Sequence, residues 1–578
     1  GEVSIALAYP DVYEIGMSNL GLQLLYDIIN SHERFHCERV FAPWIDMEAE
    51  MQKKGLPLLS LETKVPIKDS FDLFGFSLQY ELTFTNVLRM LRLAGIPLRS
   101  EERDESCPLV IGGGPCAFNP EPMAPFFDLF LIGEAEDAIL EILDTVDKEK
   151  QKQNRKPLRE EVLKSLSRIE GVYIPAKGEI NGSSRFTEKG EQSLSIKRRV
   201  MTGIDNLSIP KNPVVPYMET IHDRCVIEVM RGCTRGCRFC QAGIVYRPTR
   251  ERKVATVVKA VSEQIKATGY EDVSLSSLST TDHSQIVEML EAIANLSKSP
   301  GRSISLPSMR TDQFSVDIAA TIAKMKRTGL TFAPEAGTER LRRVINKGLT
   351  EAQILEATTK AFKMGWSRLK LYFMIGLPTE TDEDVIGIAQ LLNKILSAAR
   401  DELKGKNVGR IKLTVSVASF VPKPHTPFQW IKTLLPEEIE RRQKLIRDNV
   451  KSKQIFLRWH DASVSVLEAA LARGGRETAN AIENACKLGA GFDSWTERFE
   501  FEIWKEAFSS AGLDVGEKAI NVGEPLPWRH IDTGIDIDWL KREYELATSA
   551  EETEDCRDNL CSECGVCRGK IGLEIAGE

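Results

Sequence analysis

The stretch Arg231–Arg250, RGCTRGCRFCQAGIVYRPTR, carries the most specific pattern in this chain of 578 residues. It places Cys233, Cys237 and Cys240 in a C-x3-C-x2-C spacing, directly after the strand-like run CVIEVMRG. Three thiolates on one loop suit a cubane iron–sulfur cluster with one iron left open, whereas a structural zinc site takes four protein ligands. The spacing therefore predicts a [4Fe–4S] cluster on these three cysteines. The alternative is a zinc knuckle that borrows Cys225 as its fourth ligand.

Phe239, directly before Cys240, adds to this match, and with it the loop resembles that of the radical S-adenosylmethionine (SAM) superfamily. The resemblance extends over residues 224–420. It implies that the cluster chelates the amino and carboxylate groups of SAM, reduces SAM and cleaves it to methionine and a 5′-deoxyadenosyl radical. It also implies a low-potential electron donor of the flavodoxin or ferredoxin type.

Residues 221–435 alternate strand-like and helix-like segments, and six strand–helix units predict a partial (β/α)6 barrel rather than the full eight-unit form. Active residues of such barrels lie at the carboxyl ends of the strands. The superfamily often has Gly-Gly-Glu after the second strand, but this chain has Ser-Ser-Leu-Ser there, so serine hydroxyls or backbone carbonyls are the candidate ligands of the methionyl amine. APEAGTERL after the fourth strand resembles a methylthiotransferase stretch with an acid near SAM, although a solvated carboxylate is the alternative. The resemblance implies these SAM-binding residues: Phe239, Ser276, Ser277, Ser279, Ser308, Arg310, Glu335 and Gly376.

Residues 1–150 alternate in the same way, with continuous apolar strands such as PLVIGGGP and DLFLIGEAE. Such strands are buried on both faces of a parallel sheet, so this segment is predicted to be a doubly wound, Rossmann-like domain. Its ligand crevice should lie at the carboxyl ends of the strands. Residues 151–220 follow as a linker with small β elements of its own.

Glycine-rich loops follow several of these strands, and glycine lets the backbone approach a bulky ligand closely. Such a domain before a radical SAM core resembles the cobalamin-binding radical SAM class, where the corrin lies between this domain and the barrel. No D-x-H-x-x-G motif occurs, so no histidine from such a motif should coordinate cobalt. The alternative is a glycine-rich sheet edge without a cofactor. The candidate cobalamin-binding residues are Tyr9, Gly16, Met17, Ser18, Asn19, Ser77, Gln79, Gly112, Gly113, Gly114, Gly133 and Glu134.

Residues 436–578 are predicted to be mainly helical and end in a cysteine-rich tail. Cys556, Cys561, Cys564 and Cys567 have the spacing C-x4-C-x2-C-x2-C, which resembles ferredoxin loops. Four-cysteine zinc sites are the alternative, although their usual two-plus-two spacing is missing. We therefore predict a second metal site here, with a second [4Fe–4S] cluster preferred over zinc.

Composition narrows the class of protein. Hydrophobic residues make up 42% of the chain and charged residues 28%, which is ordinary for a soluble globular protein. Bunched cysteines in a chain this long indicate metal binding rather than disulfides. With no signal peptide or membrane-spanning run apparent, we expect a cytoplasmic protein without a membrane partner. The net charge of −8 does not support a nucleic-acid-coating protein, although a local basic patch stays open.

The sequence is compatible with three functions. The leading prediction is a cobalamin-dependent radical SAM enzyme, a methyltransferase that acts on an unactivated centre of a substrate that the sequence does not name. The second is methylthiotransferase-like or other radical modification of RNA or protein. Methylthiotransferases carry three cluster cysteines in the N-terminal domain, and Cys37, Cys107 and Cys116 do not form such a set of strand-end residues. The third is a non-catalytic cobalamin or redox sensor.

Overall fold

The computed structural model describes most of the chain. The described side chains belong to residues 3–152, 157–175, 195–296, 303–306, 309–312, 318, 329–404, 409–516, 520–557, 561–567 and 572–576. Residue 408 and the short strands 184–186 and 192–194 are described by their backbone.

The N-terminal part forms one sheet of the doubly wound type. Its strands follow the order β2-β1-β3-β4-β5-β6; the first five are parallel, and β6 pairs antiparallel with β5. The order 2-1-3-4-5 has its switch point between β1 and β3, where such sheets bind ligands. The strands are β1 (Val3–Tyr9), β2 (Phe35–Phe41), β3 (Leu73–Ser77), β4 (Leu109–Gly113), β5 (Leu129–Leu131) and β6 (Val172–Tyr173). The helices around them are α1 (Tyr13–Gly16), α2 (Leu20–Asn30), α3 (Ile45–Lys54), α4 (Ile67–Ser70), α5 (Phe84–Leu93), α6 (Ala138–Lys152) and α7 (Arg159–Leu166).

Short two-stranded pairings connect this sheet to the next part of the chain. β7 pairs with β8, β9 with the late strand β19, and β11 with β12. The β11–β12 hairpin encloses the cysteine loop, because its strands flank residues 232–249. Their bounds are β7 (Ser184–Phe186), β8 (Gln192–Leu194), β9 (Ile196–Lys197), β11 (Met230–Arg231), β12 (Arg250–Glu251) and β19 (Ile531–Asp532).

The central part has two parallel sheets, of three strands (β10-β13-β14) and four strands (β15-β16-β17-β18), both in chain order. One buried apolar core contains residues of both sheets, as expected for strands that curve around a common barrel interior. The strands are β10 (Cys225–Glu228), β13 (Asp272–Ser276), β14 (Ser303–Ser305), β15 (Leu330–Glu335), β16 (Arg368–Ile375), β17 (Lys412–Ser419) and β18 (Ile455–Trp459). The helices are α8 (Gln241–Val245), α9 (Val254–Thr268), α10 (Ile286–Leu296), α11 (Glu339–Val344), α12 (Glu351–Lys363), α13 (Asp382–Glu402) and α14 (Pro436–Asn449).

The strand β18 was not among the six strands predicted for the barrel. It lies beyond residue 435 and pairs in parallel with β17, with Leu457 opposite Val415. Its side chains alternate between buried or half-buried and exposed positions, so the period-two signal was present in QIFLRWH. The barrel sheet therefore continues past the boundary that the sequence suggested, and the rest of the predicted α/β class is confirmed.

Helices after residue 460 return to the N-terminal sheet. Trp504 and Phe508 belong to the same buried apolar core as Ile5 of β1. Asp493 joins the two parts, because it accepts hydrogen bonds from Thr85 Oγ1 at 2.6 Å and from Trp504 Nε1 at 3.0 Å. These helices are α15 (Ala462–Arg473), α16 (Thr478–Lys487) and α17 (Phe501–Ser510), and α18 (Ile537–Thr548) follows them. Among the described residues, no helix has the length and apolarity needed to span a bilayer.

We expect Trp504→Ala to lower the free energy of unfolding by about 3–5 kcal/mol, because it empties a fully buried site in the core that joins the two ends of the chain. Met47→Ala, at a side chain that is 57% exposed, is the control and should change this value by less than about 0.5 kcal/mol. Urea denaturation followed by circular dichroism measures both. Equal small losses in the two variants would contradict the shared core.

Candidate functional site

A cavity of about 420 Å³ lies between the carboxyl edge of the N-terminal sheet and the first strands of the barrel. On the sheet side it is lined by residues of β1, β3 and β4, which places it at the switch point. On the barrel side it is lined by Glu228, Arg231, Gly232 and Ser276. Gly232 directly precedes Cys233, so the cavity ends at the cysteine loop.

Most of the candidate cobalamin residues line this cavity. Tyr9, Gly16, Met17 and Ser18 do not, and two of them, Met17 and Ser18, bond to other parts of the chain. Met17 is buried and its Sδ accepts a hydrogen bond from Arg39 at 2.7 Å. Ser18 Oγ accepts from the backbone N–H of His222 at 3.1 Å. The candidate residues that do line the cavity are Asn19, Ser77, Gln79, Gly112, Gly113, Gly114, Gly133 and Glu134.

The glycines of the cavity wall differ in whether the surrounding protein leaves room for a side chain. Gly133 has φ +104, and a Cβ there would lie 2.2 Å from the backbone oxygen of Arg199, so the fold itself requires glycine. At Gly113 a Cβ would meet no atom closer than Leu131 O at 3.7 Å. Packing therefore explains glycine at Gly133, whereas at Gly113 the protein leaves room for a side chain.

Glu134 is engaged by the protein rather than free for a ligand. Its two carboxylate oxygens accept hydrogen bonds from Arg250 Nη1 and Nη2 at 2.8 and 2.7 Å, and Arg231 Nη1 lies 3.3 Å away. Burial raises the pKa of the Glu134 carboxyl, but the bonds from Arg250 and the charge of Arg231 outweigh it, and the pKa lies below its usual value. This ionised pair joins the end of the N-terminal sheet to the hairpin that carries the cysteine loop.

The cysteine loop is held from both sides of the barrel. Arg238, between Cys237 and Cys240, is fully buried; its Nε donates to Glu543 at 2.9 Å and its Nη1 to the carbonyl oxygen of Val344 at 3.0 Å. Cys240 caps α8, because its Sγ accepts from the N–H of Gly243 at 3.3 Å. These contacts give the loop its shape independently of any bound group.

The thiols of this loop interact with one another. Burial raises the pKa of Cys233 to about 11 and that of Cys240 to about 12, and the charge of Cys237 adds to both shifts. Within the described part of the chain, no three ligand-type side chains converge as they would around one metal ion. A cubane spreads its thiolates further apart than a single ion does. Cys225 is buried, and its thiol donates a hydrogen bond to Gln264 Oε1 at 3.3 Å. This contact does not support Cys225 as the fourth ligand of a zinc knuckle.

Of the three serines proposed for SAM that the structure describes, two lie at the cavity and one does not. Ser276 and Ser277 line it, and Ser277 Oγ is 2.9 Å from Thr280 Oγ1. Ser279 is buried and donates to Asp282 at 2.6 Å, and Asp282 in turn pairs with Arg235 of the cysteine loop. Ser279 therefore supports the loop, and Ser308 lies outside the described residues.

Lys347 is a site residue that the sequence analysis missed. Its Nζ lies 3.2 Å from Glu335 Oε1, and its backbone oxygen accepts from Arg310 Nη2 at 2.8 Å. Burial lowers the pKa of Lys347, but the charges of Glu335 and Cys237 outweigh burial and raise it. Two predicted residues, Glu335 and Arg310, thus meet at a buried cation beside the thiols. No local motif marks Lys347, since only the fold brings it there.

The remaining two SAM candidates, Gly376 and Phe239, each contact other parts of the protein. The N–H of Gly376 donates to Glu380 Oε2 at 2.7 Å, and burial raises the pKa of Glu380 to about 7. Phe239 packs against a separate apolar core that includes Leu341 and Phe428. In the described residues these two positions therefore have structural partners of their own.

Comparisons with known proteins agree with this architecture. The family described as radical SAM proteins, N-terminal, matches residues 21–175, and the radical SAM superfamily matches residues 227–392. An uncharacterized protein of Methanocaldococcus jannaschii is 28% identical over 518 residues, covering 87% of this chain and 98% of that protein.

Two solved structures share the fold. One is TsrM of Kitasatospora setae, a radical S-adenosylmethionine methyltransferase with cobalamin and a [4Fe–4S] cluster bound; its TM-score is 0.54 at 12% identity, over 88% of this chain and 99% of that one. The other is OxsB, a cobalamin-dependent S-adenosylmethionine radical enzyme with aqua-cobalamin bound; its TM-score is 0.50 at 14% identity, over 84% and 68%. Identities this low show likeness of fold. The chain therefore carries radical SAM domains in both its N-terminal sheet and its barrel.

Proposed function

We propose that this chain is a cobalamin-dependent radical SAM enzyme that cleaves SAM reductively and transfers a methyl group to an unactivated centre of its substrate. The observation that carries the proposal is the single cavity that runs from the switch point of the N-terminal sheet to the residue before Cys233. A cofactor on the sheet and a radical formed at the barrel would meet in that space. When bound, the cluster with SAM supplies a 5′-deoxyadenosyl radical, and cobalamin supplies the methyl group.

The residues around the cysteine loop fit a cluster with an anionic ligand. Cys233, Cys237 and Cys240 supply the thiolates, and Lys347 and Arg310 place positive charge beside Cys237. Such charge offsets that of the thiolates and suits a carboxylate such as that of SAM. A low-potential donor of the flavodoxin or ferredoxin type would supply the electron.

The cavity offers a largely apolar wall to the ring of a large macrocyclic cofactor. Leu7, Phe76 and Ile111 line it, and Gly113 leaves space for close approach. No histidine lies among the described residues that line it, so the chain offers cobalt no imidazole there. TsrM and OxsB, which share the fold, were both solved with cobalamin bound. The methyl-transfer part of the proposal rests on TsrM alone.

Modification by a methylthiotransferase-like reaction remains the second candidate, because APEAGTERL resembles that class. Its N-terminal cluster has no counterpart among the described residues. Cys107 precedes β4 and Cys116 follows it, so the two lie toward opposite ends of that strand, and Cys37 lies within β2. Three thiols placed in this way do not share a site.

Reconstituted protein with dithionite and SAM should release 5′-deoxyadenosine. Replacing Cys233, Cys237 and Cys240 with alanine should abolish its release, because the cluster loses all its protein ligands. Cys486→Ala, at a buried cysteine in α16, is the matched control and should retain it. Chromatography of the quenched reaction measures the nucleoside. Normal cleavage by the triple variant would overturn the assignment of the three ligands.

The cavity should take up about one cobalamin per chain, with the absorption spectrum of cobalamin that lacks histidine coordination. Gly113→Leu should lower uptake at least tenfold, since it fills free space in the cavity without a backbone clash. Gly409→Leu, at an open position away from the cavity, should leave uptake unchanged. Cobalt analysis after gel filtration measures the result. Absence of cobalt from the unmutated protein at saturating cobalamin would reduce the proposal to an ordinary radical SAM enzyme.

A further inference from the structure

We propose that Cys556, Cys561, Cys564 and Cys567 hold a second [4Fe–4S] cluster, placed directly beside the loop of the first. The inference goes beyond the proposed function, and it stands whether or not cobalamin binds. It rests on where the structure puts the tail, on the charge of a buried arginine and on the surroundings of the four thiols.

The tail before these cysteines is bound to the loop of the first cluster. Asp555 accepts from Thr234 Oγ1 at 2.9 Å, and its Oδ2 lies 3.2 Å from Arg235 Nε. Thr553 exchanges two hydrogen bonds with Asn346, whose side chain also donates to the carbonyl oxygen of Gly236 at 3.2 Å. Cys556 follows Asp555 directly, so the first tail cysteine starts beside the loop.

Arg247 is a buried cation that forms no ion pair with a carboxylate side chain of the described residues. It is 5% exposed, donates from Nε to the carbonyl oxygen of Gly243 at 3.2 Å, and stacks on Trp539 at 5.0 Å. Its Nη1 makes no hydrogen bond within the described residues, and no carboxylate of that part of the chain pairs with it. A buried charge of this kind is unfavourable unless an opposite charge is present.

The groups beside Arg247 are the tail thiols. The guanidinium of Arg247 lies close to the side chains of Cys564, Cys556 and Cys233. Arg247 therefore lies between the tail cysteines and the first cysteine of the loop. A cubane on four thiolates carries net negative charge, so a cluster in the tail would supply the missing counter-charge.

The surroundings of the thiols suit a cluster. Cys564 is buried in an apolar core with Trp430, Trp528 and Trp539, which shields one side from water. The N–H of Glu563 donates to Cys561 Sγ at 3.4 Å, the kind of contact that stabilises cluster sulfur. With the C-x4-C-x2-C-x2-C spacing, these features favour a cubane over zinc.

Metal analysis of three anaerobically reconstituted variants tests the proposal. The unmutated chain should hold about eight irons, and replacing all four tail cysteines with alanine should leave about four, given four irons per cluster. The triple alanine variant of Cys233, Cys237 and Cys240 should also hold about four, now in the tail. Cys486→Ala should hold about eight. Electron paramagnetic resonance of the reduced samples should show two distinct signals in the unmutated chain and one in each cluster variant.

If the variant without the four tail cysteines fails to fold, the variant without Cys233, Cys237 and Cys240 (the loop variant) still tests the proposal. About four irons in that loop variant support the tail cluster, and an iron-free loop variant overturns it. Iron near four in the unmutated chain, with one zinc that disappears in the tail variant, also overturns it. A failure of the first cluster is distinguishable, because it would remove SAM cleavage while leaving the tail iron in place.

Discussion

The buried ion network around Glu134 is the interaction on which the rest of the architecture depends. Glu134 follows β5 of the N-terminal sheet, and its partners Arg231 and Arg250 belong to the two strands of the hairpin that encloses the cysteine loop. Both side chains of the Glu134–Arg250 pair are at most 3% exposed. Removing one of them would leave the other as an unpaired buried charge, which is strongly destabilising. The network therefore sets the distance between sheet and barrel, and with it the cavity.

The C-terminal part closes the arrangement from the opposite side. Its helices share the core of the N-terminal sheet, while Glu543 and Asp555 bind arginines of the cysteine loop. Without these contacts, a loop of three half-buried thiols would be free to change shape. Contacts from the first and last parts of the chain therefore hold the shape of the loop.

Several candidate residues at the barrel mouth are hydrogen-bonded to other groups of the protein. Ser279 holds Asp282, and Asp282 holds Arg235; Gly376 uses its N–H on Glu380. Lys347, in contrast, has no motif of its own but lies beside Glu335 and the thiols. The location of a residue at the end of a strand therefore predicted which region of the protein its side chain lies in. Its hydrogen-bond partner there could be identified only from the fold.

The sequence by itself determined the α/β alternation, the order of the parts and both groups of cysteines. Those features depend on local spacing: the period of apolar residues and the number of residues between thiols. Only the tertiary structure decided that β18 extends the barrel, that helices α15 to α17 return to the first sheet, and that Arg247 lies between the two groups of cysteines. These are contacts between residues far apart in the chain. A local pattern limits which faces must be buried, but which distant surface buries them depends on how the whole chain packs.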